Sequence, residues 1–363
     1  MDENANITTK KSVVKTIGIL TSGGDAPGLN AAIRGVARTA INQYGIKVIG
    51  IEHGFRGLMQ GLGHELTPNE LSGILTRGGT ILGTSREKPF KIGQEAVDAI
   101  KENYKKWNLD ALVCIGGNGT NTTASKLQQE GLNVIGLPKT IDNDLAETDI
   151  TFGFHTAVSV ATEAIDRLHT TAHSHSRIMI IEVMGHKAGW LGLYAGIAGG
   201  GDVILIPEIP YDIEPIARHV KKRQEDGHPF SIIVVAEGAL SVEEAKLDKK
   251  AFKKARKDMP YSIAYRIAKE LRDATDLEPR VTVLGYLQRG GTPVPFDRVL
   301  ATQCGTTAAH MAARGEFGKM VAMVNGVPIG VPLEDVAGKI KKVPLDHKLL
   351  KYGKDVGTCF GIE

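Results

Sequence analysis

The sequence lacks the features that mark secreted and membrane proteins. Only three of its 363 residues are cysteines, Cys114, Cys304 and Cys359, and an odd, widely spaced set cannot form a disulfide framework. No CxxC pair indicates a zinc site. The N-terminal segment is acidic at once and has no apolar signal core, and no run of 18 apolar residues could span a membrane. We therefore expect a cytoplasmic protein with reduced thiols.

The sequence also lacks an excess of either charge. Its 44 Lys and Arg against 41 Asp and Glu leave a formal net charge of +3, which gives no support for nucleic-acid or membrane-surface binding. The one dense run of charge is residues 246–258, with seven basic and two acidic residues. Because this run has no aromatic interleaving for base stacking, we interpret it as a solvated helix face or loop. Contact with an anionic partner is the alternative.

Glycine is the residue in excess. It supplies 43 of 363 positions, about 12% against a usual share of about 7%. The length is enough for roughly two domains with buried cores. A glycine excess in such a chain predicts tight turns and places where the backbone approaches a ligand closely.

Short apolar runs alternate with longer amphipathic stretches, which predicts α/β domains built on parallel sheets. The predicted strands are 16–20, 48–51, 111–115, 134–137, 178–183, 203–206, 232–236, 281–287 and 320–324. The predicted helices are 29–43, 93–107, 120–130, 155–173, 213–225, 261–274 and 297–314. Nine strands favour two sheets over one.

Two glycine loops follow predicted strands and open predicted helices. Residues 22–30 read SGGDAPGLN and residues 116–120 read GGNGT. Glycines at a helix N-terminus let backbone N–H groups face an anion. Neither loop is a GxGxxG or a Walker-type GxxxxGK[ST]. Together they indicate a site for a phosphate chain, although an ordinary turn would explain either one alone.

A third loop, residues 138–144, reads PKTIDND after its strand. Asp142 and Asp144 offer two carboxylates, of which one could accept a hydroxyl proton while the other faces a metal. An Asx-rich turn is the alternative.

Other polar side chains of interest lie at predicted strand ends. Arginines there suit an anionic substrate, because the guanidinium fork matches phosphate; they are Arg86, Arg177, Arg280 and Arg289. His169, His173 and His175 could place two imidazoles on one helix face, but no HExxH pattern supports a zinc site there.

These motifs, in this order, resemble those of the 6-phosphofructokinase family over nearly the whole chain. The segments that carry the resemblance are TSGGDAPGLNAAIRG, GGNGT, LPKTIDND, SHSR, EVMGHKAGW, AEG and LGYLQRGGTPVPFDR. The combination is similar to the subgroup that mixes ATP-using and pyrophosphate-using members. The resemblance implies two Rossmann-like parallel-sheet domains with the active site in the cleft between them. Residues 1–153 with 288–338 would bind the donor, and 154–287 with 339–363 fructose 6-phosphate.

The resemblance also implies roles for single residues in transferring a phosphoryl group to the 1-hydroxyl of fructose 6-phosphate. Asp142 would be the base, with Thr140, Asp144 and Arg86 beside it, and Asn118 and Asp144 would face Mg²⁺. The donor residues would be Gly24, Arg86, Lys88, Gly117, Asn118, Gly119, Thr120 and Lys139. Residues for fructose 6-phosphate would be Thr140, Asp142, Arg177, Met184, Gly185, His186, Glu237, Arg280, Tyr286 and Arg289. Arg177 and Arg280 would act from a neighbouring subunit, so a homo-oligomer, dimer or tetramer, is expected.

Four positions bear on the donor and on activity. Gly119 leaves the space that Asp fills in pyrophosphate users, which favours ATP, whereas Lys139 matches pyrophosphate users. Asn118 and His186 stand where the family usually has Asp and often Arg. We therefore predict an ATP-dependent 6-phosphofructokinase. The alternatives are a pyrophosphate-dependent enzyme, a non-catalytic sugar-phosphate-binding subunit and a different sugar or nucleoside kinase with a GGNGT loop.

Overall fold

The computed structural model describes residues 10–257, 262–275 and 277–362. Residues 1–9 of the N-terminal segment, residue 258 at the end of the basic run and residue 261, where a helix is predicted to begin, lie outside the described residues. The chain divides into two compact units. The first comprises the chain up to Ile141, Leu145–His155 and Arg289–Ile340. The second comprises Asp142–Asp144, Thr156–Gln288 and the chain from Lys341 onward.

Strands and helices alternate along both units. The strands are β1 (Thr16–Ser22), β2 (Lys47–Ile51), β3 (Gly63–Glu65), β4 (Ala111–Gly116), β5 (Val134–Thr140), β6 (Phe152–Gly153), β7 (Ile178–Val183), β8 (Val203–Leu205), β9 (Ser231–Ala236), β10 (Pro279–Val283), β11 (Lys319–Val324) and β12 (Val327–Pro332). The helices are α1 (Leu29–Tyr44), α2 (Phe55–Gln60), α3 (Pro89–Ile92), α4 (Gln94–Lys106), α5 (Asn118–Gln129), α6 (Phe154–His175), α7 (Trp190–Ala198), α8 (Ile213–Glu225), α9 (Val242–Ala245), α10 (Lys249–Lys257), α11 (Ile263–Thr275), α12 (Pro295–Arg314), α13 (Leu333–Val336) and α14 (Lys348–Asp355).

The sheet of the first unit has the order β12-β11-β5-β4-β1-β2-β3, with β6 pairing β5. Its central strands are parallel and buried on both faces, because helices cover the two sides of the sheet. On one face Ile33 of α1 and Leu300 of α12 pack into the core. On the other face Ile100 of α4 and Leu127 of α5 do the same. The carboxyl ends of β1, β4 and β5 therefore lie side by side at one edge.

The sheet of the second unit has the order β10-β7-β9-β8, with all neighbours parallel. Ile180 and Ile233 are fully buried beneath Ile216 of α8 and Ile267 of α11. This sheet, too, presents the carboxyl ends of adjacent strands at one edge.

The predicted parallel α/β architecture is confirmed, and two expectations are corrected. The stretch 281–287 is not one strand: β10 ends at Val283, and Gly285–Arg289 forms a 3-10 turn. The first sheet has antiparallel strands, β3 and β12, at its edges. The strand β12 holds two prolines, which only an edge strand accommodates, and its alternating burial hid it from a search for continuous apolar runs.

The helix α10 lies in the basic run and buries none of its residues, as the prediction of a solvated helix face requires. Over the described residues, no helix is long and apolar enough to cross a bilayer.

Candidate active site

Three loops meet at the carboxyl edge of the first sheet, because β1, β4 and β5 are neighbours there. Lys139, at the end of β5, is 3% exposed and its ammonium donates a hydrogen bond to the Gly24 carbonyl. The Thr120 hydroxyl donates to the Ser22 carbonyl at 3.2 Å. Lys139 and Thr120 thus tie the loop after β1 to the other two. The structure thus brings Gly24, Thr120 and Lys139 close together.

The loop after β4 directs a helix N-terminus at the same edge. Gly117 caps α5, whose first residue is Asn118. A side chain at Gly116 would meet the Thr120 hydroxyl at 2.1 Å, so close packing requires glycine there. A side chain at Gly119 would meet nothing within 4 Å. Position 119, in the first turn of this 12-residue helix, therefore faces open space, and a helix N-terminus is suited to an anion.

The side chain of Asn118 is held within the first unit. Its Nδ2 donates to the Lys339 carbonyl, and its Oδ1 accepts from the Thr122 hydroxyl at 3.2 Å. An aspartate here would lack the donor that the Lys339 carbonyl needs. The geometry thus gives a local reason for an amide at this position.

Arg86 and Lys88 follow a segment that pairs with the loop after β1. The Gly23 N–H donates to the Ser85 carbonyl at 2.9 Å, and the Thr84 hydroxyl donates to the Gly23 carbonyl at 2.7 Å. Both cationic side chains are exposed. They are therefore available to an anion at this edge.

Arg289 also lies against the loop after β1. Its Nη1 donates to the Asp25 carbonyl at 3.1 Å, and a Cβ added at Gly24 would lie 2.7 Å from Nη1. Glycine at position 24 therefore leaves the room that this guanidinium occupies. The resemblance gave Arg289 to the sugar phosphate, and the structure puts it next to a donor-loop residue.

The acidic loop continues directly from β5, where Thr140 is 7% exposed. In the second unit Asp144 is buried and Asp142 half-buried. Asn143 has φ +50°, and its Oδ1 accepts from Lys341 Nζ at 3.2 Å. The Lys341 N–H donates to the Asp144 carbonyl at 2.9 Å. Lys341 thereby fixes the turn that presents the two carboxylates.

Within the second unit, the segments after β7 and β9 form a neighbouring pair. Glu237 follows β9, and its carboxylate accepts from the His186 N–H at 2.8 Å. His186 has φ +53° and Gly185 φ +143°, and a Cβ at Gly185 would meet the Ala188 carbonyl at 2.6 Å. The Met184 N–H donates to Gln288 Oε1 at 3.2 Å.

A pocket of about 200 Å³ lies at this edge, lined in part by Glu182, Met184, Glu237 and Tyr286. Tyr286 is 75% exposed. Burial raises the pKa of Glu182, and the Ala264 N–H that bonds its carboxylate opposes the rise. The structure thus gathers Met184, Glu237 and Tyr286 around one pocket.

Arg177 and Arg280 lie elsewhere. Arg177 directly precedes β7 and Arg280 is the second residue of β10, which pairs with β7 in parallel from Ile178 onward. They sit at the amino end of the sheet, about 20 Å of strand from the residues that follow it. Arg280 forms a bidentate ion pair with Glu278 at 2.6 and 3.0 Å.

His169 and His173 of α6 pack against neighbouring residues, and His175 is exposed. His169 Nε2 lies 2.7 Å from the Gly199 carbonyl. The rings of His169 and His173 make edge contacts with Phe230. In the described part of the chain, no group of three or more His, Cys, Asp or Glu is arranged to hold a metal ion.

Sequence reasoning missed residues that position the site. Gln288 is fully buried and orients the Met184 backbone, and Thr84 holds Gly23. Their places immediately before Arg289 and two residues before Arg86 were the available signals. The contact between Asn118 and Lys339 joins residues 221 positions apart, and no local pattern indicates it.

Comparison with known proteins shows the family to which this chain belongs. Residues 16–312 match the family model described as Phosphofructokinase. The chain belongs to the phosphofructokinase family. The predicted resemblance is therefore confirmed.

Relatives within the family share most of the chain. The ATP-dependent 6-phosphofructokinase of Spirochaeta thermophila is 61% identical over 97% of this chain and 99% of its own. ATP-dependent 6-phosphofructokinase 3 of Bacteroides thetaiotaomicron is 53% identical over 95% and 99%. The solved pyrophosphate-dependent phosphofructokinase of Marinobacter aquaeolei is 25% identical, with a TM-score of 0.78 over 95% of this chain and 88% of that one. The relatives thus include proteins named for ATP and a protein named for pyrophosphate as the phosphoryl donor.

Proposed function

We propose that this protein is an ATP-dependent 6-phosphofructokinase, which transfers the terminal phosphoryl group of ATP to the 1-hydroxyl of fructose 6-phosphate. The observation that carries the proposal is the meeting of three phosphate-type loops at one sheet edge, in a chain 61% identical to a relative named for that activity. Fructose 1,6-bisphosphate would be the product. The three free thiols accord with a reducing cytoplasm.

The choice of ATP over pyrophosphate rests on Gly119 and Lys139. The open space at Gly119 leaves room for the rest of a nucleotide beyond its phosphates. Lys139 is buried and bound to the Gly24 carbonyl. Lys139 thus holds the loops together. This role is compatible with either donor and does not favour pyrophosphate.

We assign the chemistry to the acidic loop. Asp142 would take the proton of the 1-hydroxyl, and Thr140 and Arg86 would orient the transferring phosphoryl group. Most of the rate gain would come from positioning and charge stabilisation.

The residues present fit Mg²⁺ carried by the nucleotide. Mg²⁺ keeps several waters and binds through one or two carboxylates plus substrate phosphates. Asp144 supplies one such carboxylate beside the base Asp142, whereas Asn118 has its amide committed to Lys339 and Thr122. When bound, Mg²⁺ neutralises charge on the transferring group.

Each unit would have its own substrate. The first unit would hold ATP through Gly24, Lys88 and the α5 N-terminus. The second would hold fructose 6-phosphate through Met184, His186 and Glu237. Arg177 and Arg280, at the far end of their sheet, would serve the 6-phosphate of a neighbouring subunit in a homo-oligomer.

Turnover of fructose 6-phosphate with Mg²⁺, measured with ATP and with pyrophosphate at equal concentrations, tests the proposal. We expect activity with ATP alone. Asp142→Asn should lower kcat about 10²–10⁴-fold with little change in fructose 6-phosphate binding. Activity with pyrophosphate alone would instead establish the pyrophosphate-dependent reading. Binding of the sugar phosphate without turnover would establish a non-catalytic subunit.

A further inference from the structure

The helix α10, which carries most of the basic run, borders the candidate residues for the sugar phosphate. None of its residues is fully buried, but Phe252 and Arg256, one turn apart, are half-buried. Both line a pocket of about 340 Å³ in the second unit, and His186 and Glu237 line the same pocket. The Arg256 guanidinium lies 5.3 Å from the centre of the Phe252 ring. One face of this helix therefore has contacts within the second unit, while its lysines are exposed.

The guanidinium of Arg256 binds two segments that precede α10. Its Nη2 donates to the Ala239 carbonyl and, at 3.1 Å, to Glu244 Oε2, and its Nε lies 2.9 Å from Glu244 Oε1. The Arg256 side chain is 19% exposed and that of Glu244 is 8% exposed. Ala239 is the second residue after Glu237. Arg256 therefore ties the turn after β9 to both α9 and α10.

The Glu244 carboxylate is a fixed anchor for this guanidinium. Glu244 Oε2 accepts from the Ser241 N–H at 3.1 Å and from Arg266 Nη2 at 2.7 Å, and the Ser241 hydroxyl accepts from the Glu244 N–H at 3.2 Å. Burial acts to raise the pKa of Glu244, but the hydrogen bonds from Arg266 and Ser241 and the charge of Arg256 lower it below its usual value. Glu244 is thus ionised at neutral pH and holds Arg256 by charge as well as by hydrogen bonding.

The turn after β9 links the position of Ala239 to the candidate sugar-phosphate residues. The Ala239 N–H donates to the Ala236 carbonyl at 2.8 Å. A Cβ added at Gly238 would lie 2.2 Å from the His186 carbonyl oxygen, so the two backbones are in direct contact. The Glu237 carboxylate in turn accepts from the His186 N–H at 2.8 Å. Because these groups are closely packed, a shift of Ala239 moves Glu237 and His186 as well.

We infer that Arg256 is a positioning residue for the sugar phosphate: it holds the Ala239 carbonyl and thereby sets the orientation of Glu237 and of the His186 backbone. Fructose 6-phosphate is the ligand of these two residues under the proposed function, on which this inference rests. An arginine paired with Glu244 alone would serve only to attach α10. The additional bond to a backbone carbonyl of the turn connects Arg256 to the site.

Hydrogen exchange measured by peptide mass spectrometry tests this contact without any substrate. Arg256→Met removes the charge and the donors but keeps an unbranched apolar stem beside Phe252. We expect the amide of His186, whose acceptor is the Glu237 carboxylate, to exchange about three- to tenfold faster, the range for one lost hydrogen bond. Exchange in the buried strands β7 and β9 should be unchanged. Lys253→Met makes the matched change at an exposed residue of α10 and should exchange as the parent does.

Steady-state kinetics tests whether the contact serves the sugar phosphate. In Arg256→Met, KM for fructose 6-phosphate should rise about three- to tenfold, while kcat and KM for ATP stay at the parent values. A general loss of structure would change all three constants. Arg256→Lys keeps the charge but replaces the guanidinium fork by a single ammonium, so its KM for fructose 6-phosphate should lie between those of the parent and Arg256→Met.

Either measurement can overturn the inference. The exchange does so if the amide of His186 is equally protected in Arg256→Met and the parent, or if β7 and β9 lose protection to the same extent. The kinetics do so if KM for fructose 6-phosphate is unaltered in Arg256→Met. A parent protein that does not turn over fructose 6-phosphate contradicts the proposed function instead, and the exchange of His186 still decides whether Arg256 holds the turn.

Discussion

At the scale of single residues, the loops of the candidate site contain glycines that are tightly packed and one glycine that faces open space. A side chain at Gly116 would collide with Thr120, and one at Gly24 with Arg289. Gly119, only three positions after Gly116, faces nothing. Packing therefore explains the first two glycines, and it leaves the third to be explained by a ligand.

Gly119→Asp distinguishes an effect on the free energy of unfolding from an effect on ATP binding. Gly119 has no positive φ and is the second residue of α5, so a side chain removes backbone entropy from the unfolded chain. A carboxylate in the first helical turn adds about 0.3–1 kcal/mol. We expect unchanged or slightly higher unfolding free energy in urea. The same carboxylate repels donor phosphates, so KM for ATP should rise at least tenfold, or by roughly 1.4 kcal/mol.

Gly119→Ala is the matched control, since it fills the same space without charge. Its KM for ATP should stay within about threefold of the parent value. An unaltered KM for ATP in Gly119→Asp would mean that the donor phosphates lie away from the α5 N-terminus.

The sequence reveals the residues of these loops but not their mutual restraints. Glycine pairs after apolar runs, and the carboxylates of the PKTIDND segment, were visible as candidates for phosphate chemistry. The bond from Asn118 to Lys339 and the contact of Arg289 with the loop after β1 depend on long-range folding. Asn118 departs from the family's usual Asp, and its bond to the Lys339 carbonyl, 221 positions away, gives a structural reason for the amide.

At the scale of elements, apolar runs predict the buried strands because both faces of a parallel sheet are covered. The bounds of β7 and α8 agree with the predicted ones at both ends. The edge strands β3 and β12 are not predicted, because they are partly exposed to solvent and their sequences mix polar and apolar residues. The error at 281–287 arises because Gly285, with φ +50°, turns the chain after β10.

The packing of α1 on α12 depends on two glycines, Gly35 of α1 and Gly305 of α12. A Cβ at Gly305 would lie 2.6 Å from the Ala32 carbonyl and 2.9 Å from the Val36 nitrogen, both backbone atoms that cannot rotate away. Gly305→Ala should therefore lower the free energy of unfolding by about 1–3 kcal/mol through overpacking. Urea denaturation followed by circular dichroism measures this. Gly119→Ala makes the same change at an open position and should cost no stability. Equal midpoints for the two variants would show that the helices separate at little cost.

At the scale of the whole molecule, the position of two arginines raises the question of how many chains make one site. Arg177 and Arg280 lie at the amino end of a sheet whose carboxyl end carries Met184 and Glu237. If they bind the 6-phosphate, they must do so for another copy of the chain. Arg280→Ala should then raise KM for fructose 6-phosphate by about 10–100-fold, the usual range for lost charged hydrogen bonds.

Oligomers that contain two different variants test whether Arg280 serves the active site of its own chain or that of a second chain. Asp142→Asn and Arg280→Ala chains are each expected to be weakly active alone at low fructose 6-phosphate. In a hybrid dimer, the intact Asp142 of one chain meets the intact Arg280 of the other, so one of its two sites is complete. Random assembly from equal amounts makes half of the dimers hybrids and restores roughly a quarter of the parent activity, because a two-fold interface repeats each contact reciprocally. Co-expression with two affinity tags isolates the hybrids. Activity no greater than the mean of the two pure variants would place each Arg280 at a site within its own chain.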